Sequence, residues 1–149
     1  MFKKLIATKD DRAALVLRVM LGLVFFPHGA QKLLGWFGGH GFSGTMGFFT
    51  GQLEIPAMFA FLAIIAEFFG ALGLLAGLFT RVAALGIMSV MLVAVPMLHA
   101  KHGFFMNWSG SQAGEGFEYH LLVIAMAVAL IIRGGGTWSA DKALADKSN

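Results

Sequence analysis

The sequence predicts an all-α integral membrane protein: a bundle of four transmembrane helices, both termini cytoplasmic, with a short amphipathic interfacial helix in the first outer loop. Three observations lead there. Of 149 residues, 58% are hydrophobic and 13% charged, against about 45–50% and about 25% in an ordinary soluble domain. Mean hydropathy is +0.77, and four stretches approach the ~20 apolar residues that a helix needs to cross a bilayer. The Lys and Arg residues also cluster on alternate sides of those stretches. With 11 basic and 8 acidic residues, the chain cannot clothe a soluble globule in charge. A soluble enzyme and a disordered tail are excluded, and the scattered bases form no nucleic-acid-binding stripe. The absence of Cys excludes disulfides, thiolate-bound metals and thiol redox chemistry.

The first span runs from about Ala13 to Leu34 and contains Arg18, Pro27 and His28. No small-residue cleavage site follows it, so it is expected to stay in the membrane. The outer segment from Gly35 to Ile55 is rich in Gly and aromatics; Ser43 would cap a short helix with Met46, Phe49 and Leu53 on one face. The second span covers about Pro56 to Phe79 with one charge, Glu67. Thr80–Arg81 makes the tight turn into the third, Val82 to about His99. Trp108 is an interface anchor in the second outer loop. The fourth span is the weakest, since Leu121 to Ile132 reaches a membrane length only with Phe117 to His120 included. Residues 1–142 form one membrane domain, and the polar residues after Gly134–Gly135–Gly136, 143–149 above all, are expected to fray. Lys3, Lys4, Lys9, Arg12, Arg81, Arg133, Lys142 and Lys147 fall on one side, only Lys32 and Lys101 on the other. That asymmetry puts both termini in the cytoplasm.

Ionisable groups inside a bilayer are costly and call for a partner or a function. At 1.5 Å of rise per residue, Arg18 lies ~9 Å from the inner end, Glu67 ~18 Å, Glu118 ~21 Å, His28 ~22 Å and His99 ~25 Å. Each span thus brings an acid or imidazole to the outer half, and Pro27 and Pro96 precede two of them. His28, Glu67, His99 and Glu118 are therefore expected to form a polar pocket opening outward. Arg18 is expected to pair with Glu67 or to snorkel inward, and Lys32 to snorkel outward; both are also candidate substrate ligands.

Other chemistries rank lower. His99-x-x-His102 with Glu115-x-x-Glu118 would be a carboxylate–imidazole metal site, and His28 with His99 a bis-histidine haem site; neither spacing is specific. Ala66, Gly70, Gly73 and Gly77 form a small-residue stripe for close packing in the bundle, or for a homo-oligomer. Arg12, Pro27 and Lys32 recur at matching intervals as Arg81, Pro96 and Lys101, which suggests a duplicated hairpin.

These residues resemble the DoxX family of small four-helix bacterial membrane proteins. The resemblance rests on Leu17-Arg18-Val19, Pro27-His28-Gly29 with Gln31-Lys32, Gly41 to Thr45, and Ala66-Glu67 with Thr80-Arg81. His99, Phe117-Glu118-Tyr119 and the Trp138-Ser139 turn extend it to roughly Arg12–Lys142. His120 departs from the apolar residue of the family pattern and stays outside the core set. The resemblance implies membrane oxidoreductase systems, including a subunit of thiosulfate:quinone oxidoreductase and complexes of oxidative-stress defence. The expected function is a subunit or accessory of such a system. Quinone is the cofactor or substrate in view, and a protein partner supplies electrons. A non-catalytic scaffold or assembly factor is the alternative, and small-solute or proton transport the third.

Overall fold

The computed structural model describes residues 2–147, which are helical throughout apart from turns and one long loop. Seven α-helices follow one another: α1 Phe2–Ile6, α2 Arg12–Leu34, α3 Gly41–Gly51, α4 Ala57–Ala76, α5 Thr80–Ala94, α6 Glu118–Arg133 and α7 Ala140–Lys147. No strand occurs among the described residues. Three helical stretches are long and apolar enough to cross a membrane: Arg12–Leu34, Ala57–Ala76 and Thr80–His102. Helix α6, with 16 residues, reaches only about 24 Å, short of the ~30 Å hydrocarbon core.

The long helices pack in a circuit, α2 on α4, α4 on α5, α5 on α6, with the thinnest seam where α6 returns to α2. Ala60, Ile64, Glu67, Ala71 and Leu74 place the buried face of α4 at helical spacing. Leu21, Phe25, Leu74, Ile87, Met91, Val123 and Leu130 fill the centre. The outward faces are apolar too: Val16, Phe59, Phe69, Val82 and Ile132 are all exposed. An apolar exterior this extensive is a surface for lipid rather than water.

Local chemistry sets the element ends. Asp11 caps α2 by accepting from Ala13 and Ala14 N–H, and Gly35, at φ +75°, ends it in the left-handed conformation that favours glycine. Pro27 sits inside an unbroken α2. Pro96 instead lies in a π-helical turn, Val95–His99, that ends α5 and leads to a 3-10 turn at Ala100–His102. Helix α3 begins two residues before Ser43, which is exposed within it and caps nothing. Met46, Phe49 and Leu53 are half-buried as a face would be, although Leu53 lies past the helix end.

The structure bears on four other expectations, overturning the first two. The turn between α4 and α5 is residues 77–79, so Thr80–Arg81 already belongs to α5. The segment expected to fray forms α7, because Ser139 Oγ accepts from Lys142 N–H and Asp141 is fully buried; residues 148–149 lie outside the described part. The small-residue stripe brings α4 against α5 within the chain, with Gly70 beside Ile87, Gly73 beside Ala83, and Ala66 facing Gly86. The matched triplets make unlike contacts: Lys32 is ion-paired and Lys101 is exposed, so the structure gives the duplication no support.

Candidate functional site

Helices α2 and α4 run antiparallel and approach closely at Gly29. A Cβ there would lie 2.5 Å from Phe68 Cα and 2.6 Å from its nitrogen, so only glycine admits the α4 backbone. One turn later Lys32 Nζ donates to Glu67 Oε2 at 2.6 Å. The Glu67 side chain is 4% exposed and that of Lys32 26%. A carboxylate this buried is tolerable because its cation is in direct contact. His28 is exposed at the edge of the pair, its ring 6.1 Å from that of Phe25 and within electrostatic range of both Lys32 and Glu67.

From α6, Tyr119 lies within electrostatic range of Glu67, and its hydroxyl is buried with no hydrogen-bond partner. His120, next along α6 with ring centroids 5.5 Å from Tyr119, is 5% exposed, and its Nδ1 is likewise unpartnered. Its ring meets that of His99 at 4.0 Å between centroids. His99 Nδ1 sits 2.9 Å from the Glu115 carbonyl oxygen. A carbonyl only accepts, so Nδ1 carries the proton and Nε2 the lone pair. His28, Lys32, Glu67, Tyr119, His120 and His99 thus form a polar chain at the end of the bundle that carries the 103–117 loop.

Two expected members stand apart. Glu118 turns to that loop, where Oε1 accepts from Met106 N–H at 2.9 Å and Trp108 Nε1–H at 3.3 Å. Arg18 is at the opposite end, 2% exposed, and donates to the carbonyls of Leu74, Leu75, Gly135, Thr137 and Trp138. Neither Glu67 nor the membrane surface is its partner, and Lys32 takes the place expected of it. The low-ranked metal grouping does not assemble: Glu115 accepts from Asn107 N–H, Glu118 is spent as described, and no group of three ligating residues occurs among the described residues.

Sequence reasoning missed Tyr119 as a site residue and set His120 aside. Their spacing gave a signal: His120, Val123, Ala127 and Leu130 share the buried face of α6, so an imidazole stood in line with core residues. It also missed Asp141, whose two oxygens accept from Phe79 N–H at 2.7 Å and Thr80 N–H at 2.9 Å. Asp141 thereby caps α5 from α7, while Arg18 caps the carbonyl end of α4, each charge suiting its helix terminus.

The family model for DoxX matches residues 13–100. The chain belongs to the DoxX family. The matched segment holds His28, Lys32, Glu67 and His99, whereas Tyr119, His120 and the α7 cap lie beyond it. Two relatives extend the likeness. "Putative oxidoreductase CatD" of Bacillus subtilis (strain 168) is 29% identical over 116 residues, 78% of this chain and 76% of that protein. "Inner membrane protein YqjF" of Escherichia coli (strain K12) is 27% identical over 138 residues, 93% of this chain and 96% of that protein. No solved structure matches the chain. This DoxX protein is thus an all-helical member of a family with an inner-membrane relative along nearly its whole length.

Proposed function

We propose that this DoxX protein is a subunit of a membrane oxidoreductase system that works on quinone at the polar chain of the loop end. It crosses the bacterial inner membrane four times with both termini in the cytoplasm. Eight Lys and Arg residues at the terminal side against two at the loop side support that orientation, and the apolar exterior supports the spans. Helix α6 completes its crossing with the residues that flank it.

One observation carries the reading: a buried ion pair, Lys32–Glu67, stands beside an exposed imidazole, His28. A quinone in the bilayer needs donors for its two carbonyl oxygens and a group that exchanges protons near neutral pH; an ammonium suits the first need and an imidazole both. Reduction consumes two electrons and two protons per quinone. The protein has no thiol of its own, so the electrons come from a partner protein, and this chain binds, orients and handles protons. The name of the Bacillus subtilis relative points the same way.

The test is quinone reduction in membranes holding wild type, His28→Ala or Glu67→Gln. Losses on the order of 100-fold in both variants are expected where a proton-handling group is removed; equal activity in all three sinks the reading. The ion pair also favours a second one, a scaffold in which Lys32–Glu67 only fixes helix register. In that case Glu67→Gln weakens stability or partner retention while redox activity per folded molecule is unchanged.

A further inference from the structure

Proton-handling groups at the pair need a connection to water, and the two ends of the bundle differ sharply in offering one. At the terminal end the charged groups are locked, although Thr80 Oγ1 is buried there without a partner. The five hydrogen bonds of Arg18 all go to carbonyls, and Asp141 is fully buried and committed to Phe79 and Thr80. Between that knot and Glu67, α2, α4 and α6 face one another through Leu21, Phe25, Ala71, Leu74, Val123 and Ala127. None of the buried polar side chains among the described residues lies in that layer.

At the loop end the opposite holds. Tyr119 Oη and His120 Nδ1 are buried without partners, although an unpaired buried polar atom costs about 1–3 kcal/mol. A fold with only a packing need would place apolar groups there. Instead Tyr119 lies within electrostatic range of Glu67, the His120 ring meets those of Tyr119 and His99 at 5.5 and 4.0 Å between centroids, and half-buried His99 donates from Nδ1 to the carbonyl of exposed Glu115. Imidazole passes a proton by taking it on one ring nitrogen and releasing it from the other. His99 has the form for this, with Nδ1–H toward the loop and Nε2 free to accept from inside.

We propose that Tyr119, His120 and His99 form a proton path joining the Lys32–Glu67 pair to the surface at the 103–117 loop, so that the pair exchanges protons with that side of the membrane alone. The charged and titratable groups beside the path are His28 and Lys32 of α2 and Glu67 of α4; the carboxylates of Glu118 and Glu115 turn to the loop instead. The path rests on the quinone reading only for what consumes the protons. For each quinone reduced by two electrons from the partner protein, two protons leave the site for the quinone oxygens. Two enter through His99 to replace them.

The test separates the path from the reaction. Protein is reconstituted in sealed lipid vesicles, and pH is stepped down on one side at a time. Protonation of the Glu67 carboxyl is followed by infrared difference spectroscopy and assigned by its loss in Glu67→Gln. The carboxyl band is expected to rise promptly after a loop-side step and slowly after a terminal-side step. With His120→Phe or His99→Ala the loop-side rise slows by on the order of 100-fold, and added imidazole restores the rate. Equal rates from both sides, no protonation at all after a loop-side step, or a loop-side rate untouched by both His variants overturns the path. Quinone reduction is measured separately on the same preparations. Its absence in wild type alongside a one-sided, His-dependent band overturns the quinone reading and leaves the path standing.

Discussion

Lys32 Nζ and Glu67 Oε2 are 2.6 Å apart, although counting rise along the helices puts Lys32 far above Glu67 and Arg18 nearer to it. Side chains lean toward the N-terminus of their own helix. In antiparallel helices that tilt brings Lys32 down from α2 and Glu67 up from α4, while Arg18 leans away toward the terminal end. Removing one partner strands a charge. Lys32→Ala is expected to cost on the order of 3 kcal/mol of stability in mild detergent. The double variant Lys32→Met/Glu67→Leu should recover most of it, as read by denaturant unfolding.

Gly29 sets the spacing on which that pair depends. Gly29→Ala would push a methyl group into the α4 backbone at Phe68, which cannot swing aside as a side chain could. A loss of about 1–3 kcal/mol or more is expected. Glu67 should become reactive toward a carbodiimide that leaves the wild-type carboxylate untouched.

Arg18 tests the terminal end. Lys has three donors and no planar fork, so Arg18→Lys leaves at least two of the five carbonyls unmet. At about 1.5–3 kcal/mol for each hydrogen bond to a charged group, a loss of roughly 3 kcal/mol or more is expected. Arg18→Ala should abolish the monodisperse species seen by size-exclusion chromatography.

Asp11 predicts a pH dependence. The Ala14 N–H foremost, and then Arg133 beside it, hold its carboxyl below the usual carboxylate range. A carboxylate depressed by folding stabilises while ionised; its contribution is full above the unfolded value of about 3.9 and lost as pH falls through the folded value. Thermal midpoints of wild type and Asp11→Ala should differ at neutral pH and converge in acid, below about pH 4.

The sequence made α2, α4 and the α5 segment legible because apolar length and helical spacing are local properties. Helix α7 was not legible: its residues are polar, and its stability comes from the Ser139 cap and from Asp141 reaching into α5, contacts made with chain 61–62 residues away. The polar residues were legible as a list of types at one height, and the structure places His28, Glu67 and His99 at one end of the bundle. Which atoms meet was not, because rise per residue locates backbone and ignores the lean and length of side chains. Glu118 illustrates this, being adjacent to Tyr119 yet turned to the loop.

The Arg18 contacts also impose an order on synthesis. The carbonyls of Gly135 and Trp138 are made 117 and 120 residues after the arginine that binds them. Throughout translation of the helices between, that guanidinium waits without its final ligands. The first long helix of the chain is therefore finished late, only after residues 135–138 have left the ribosome. A stop codon just before Gly134 would yield every long helix and no completed protein.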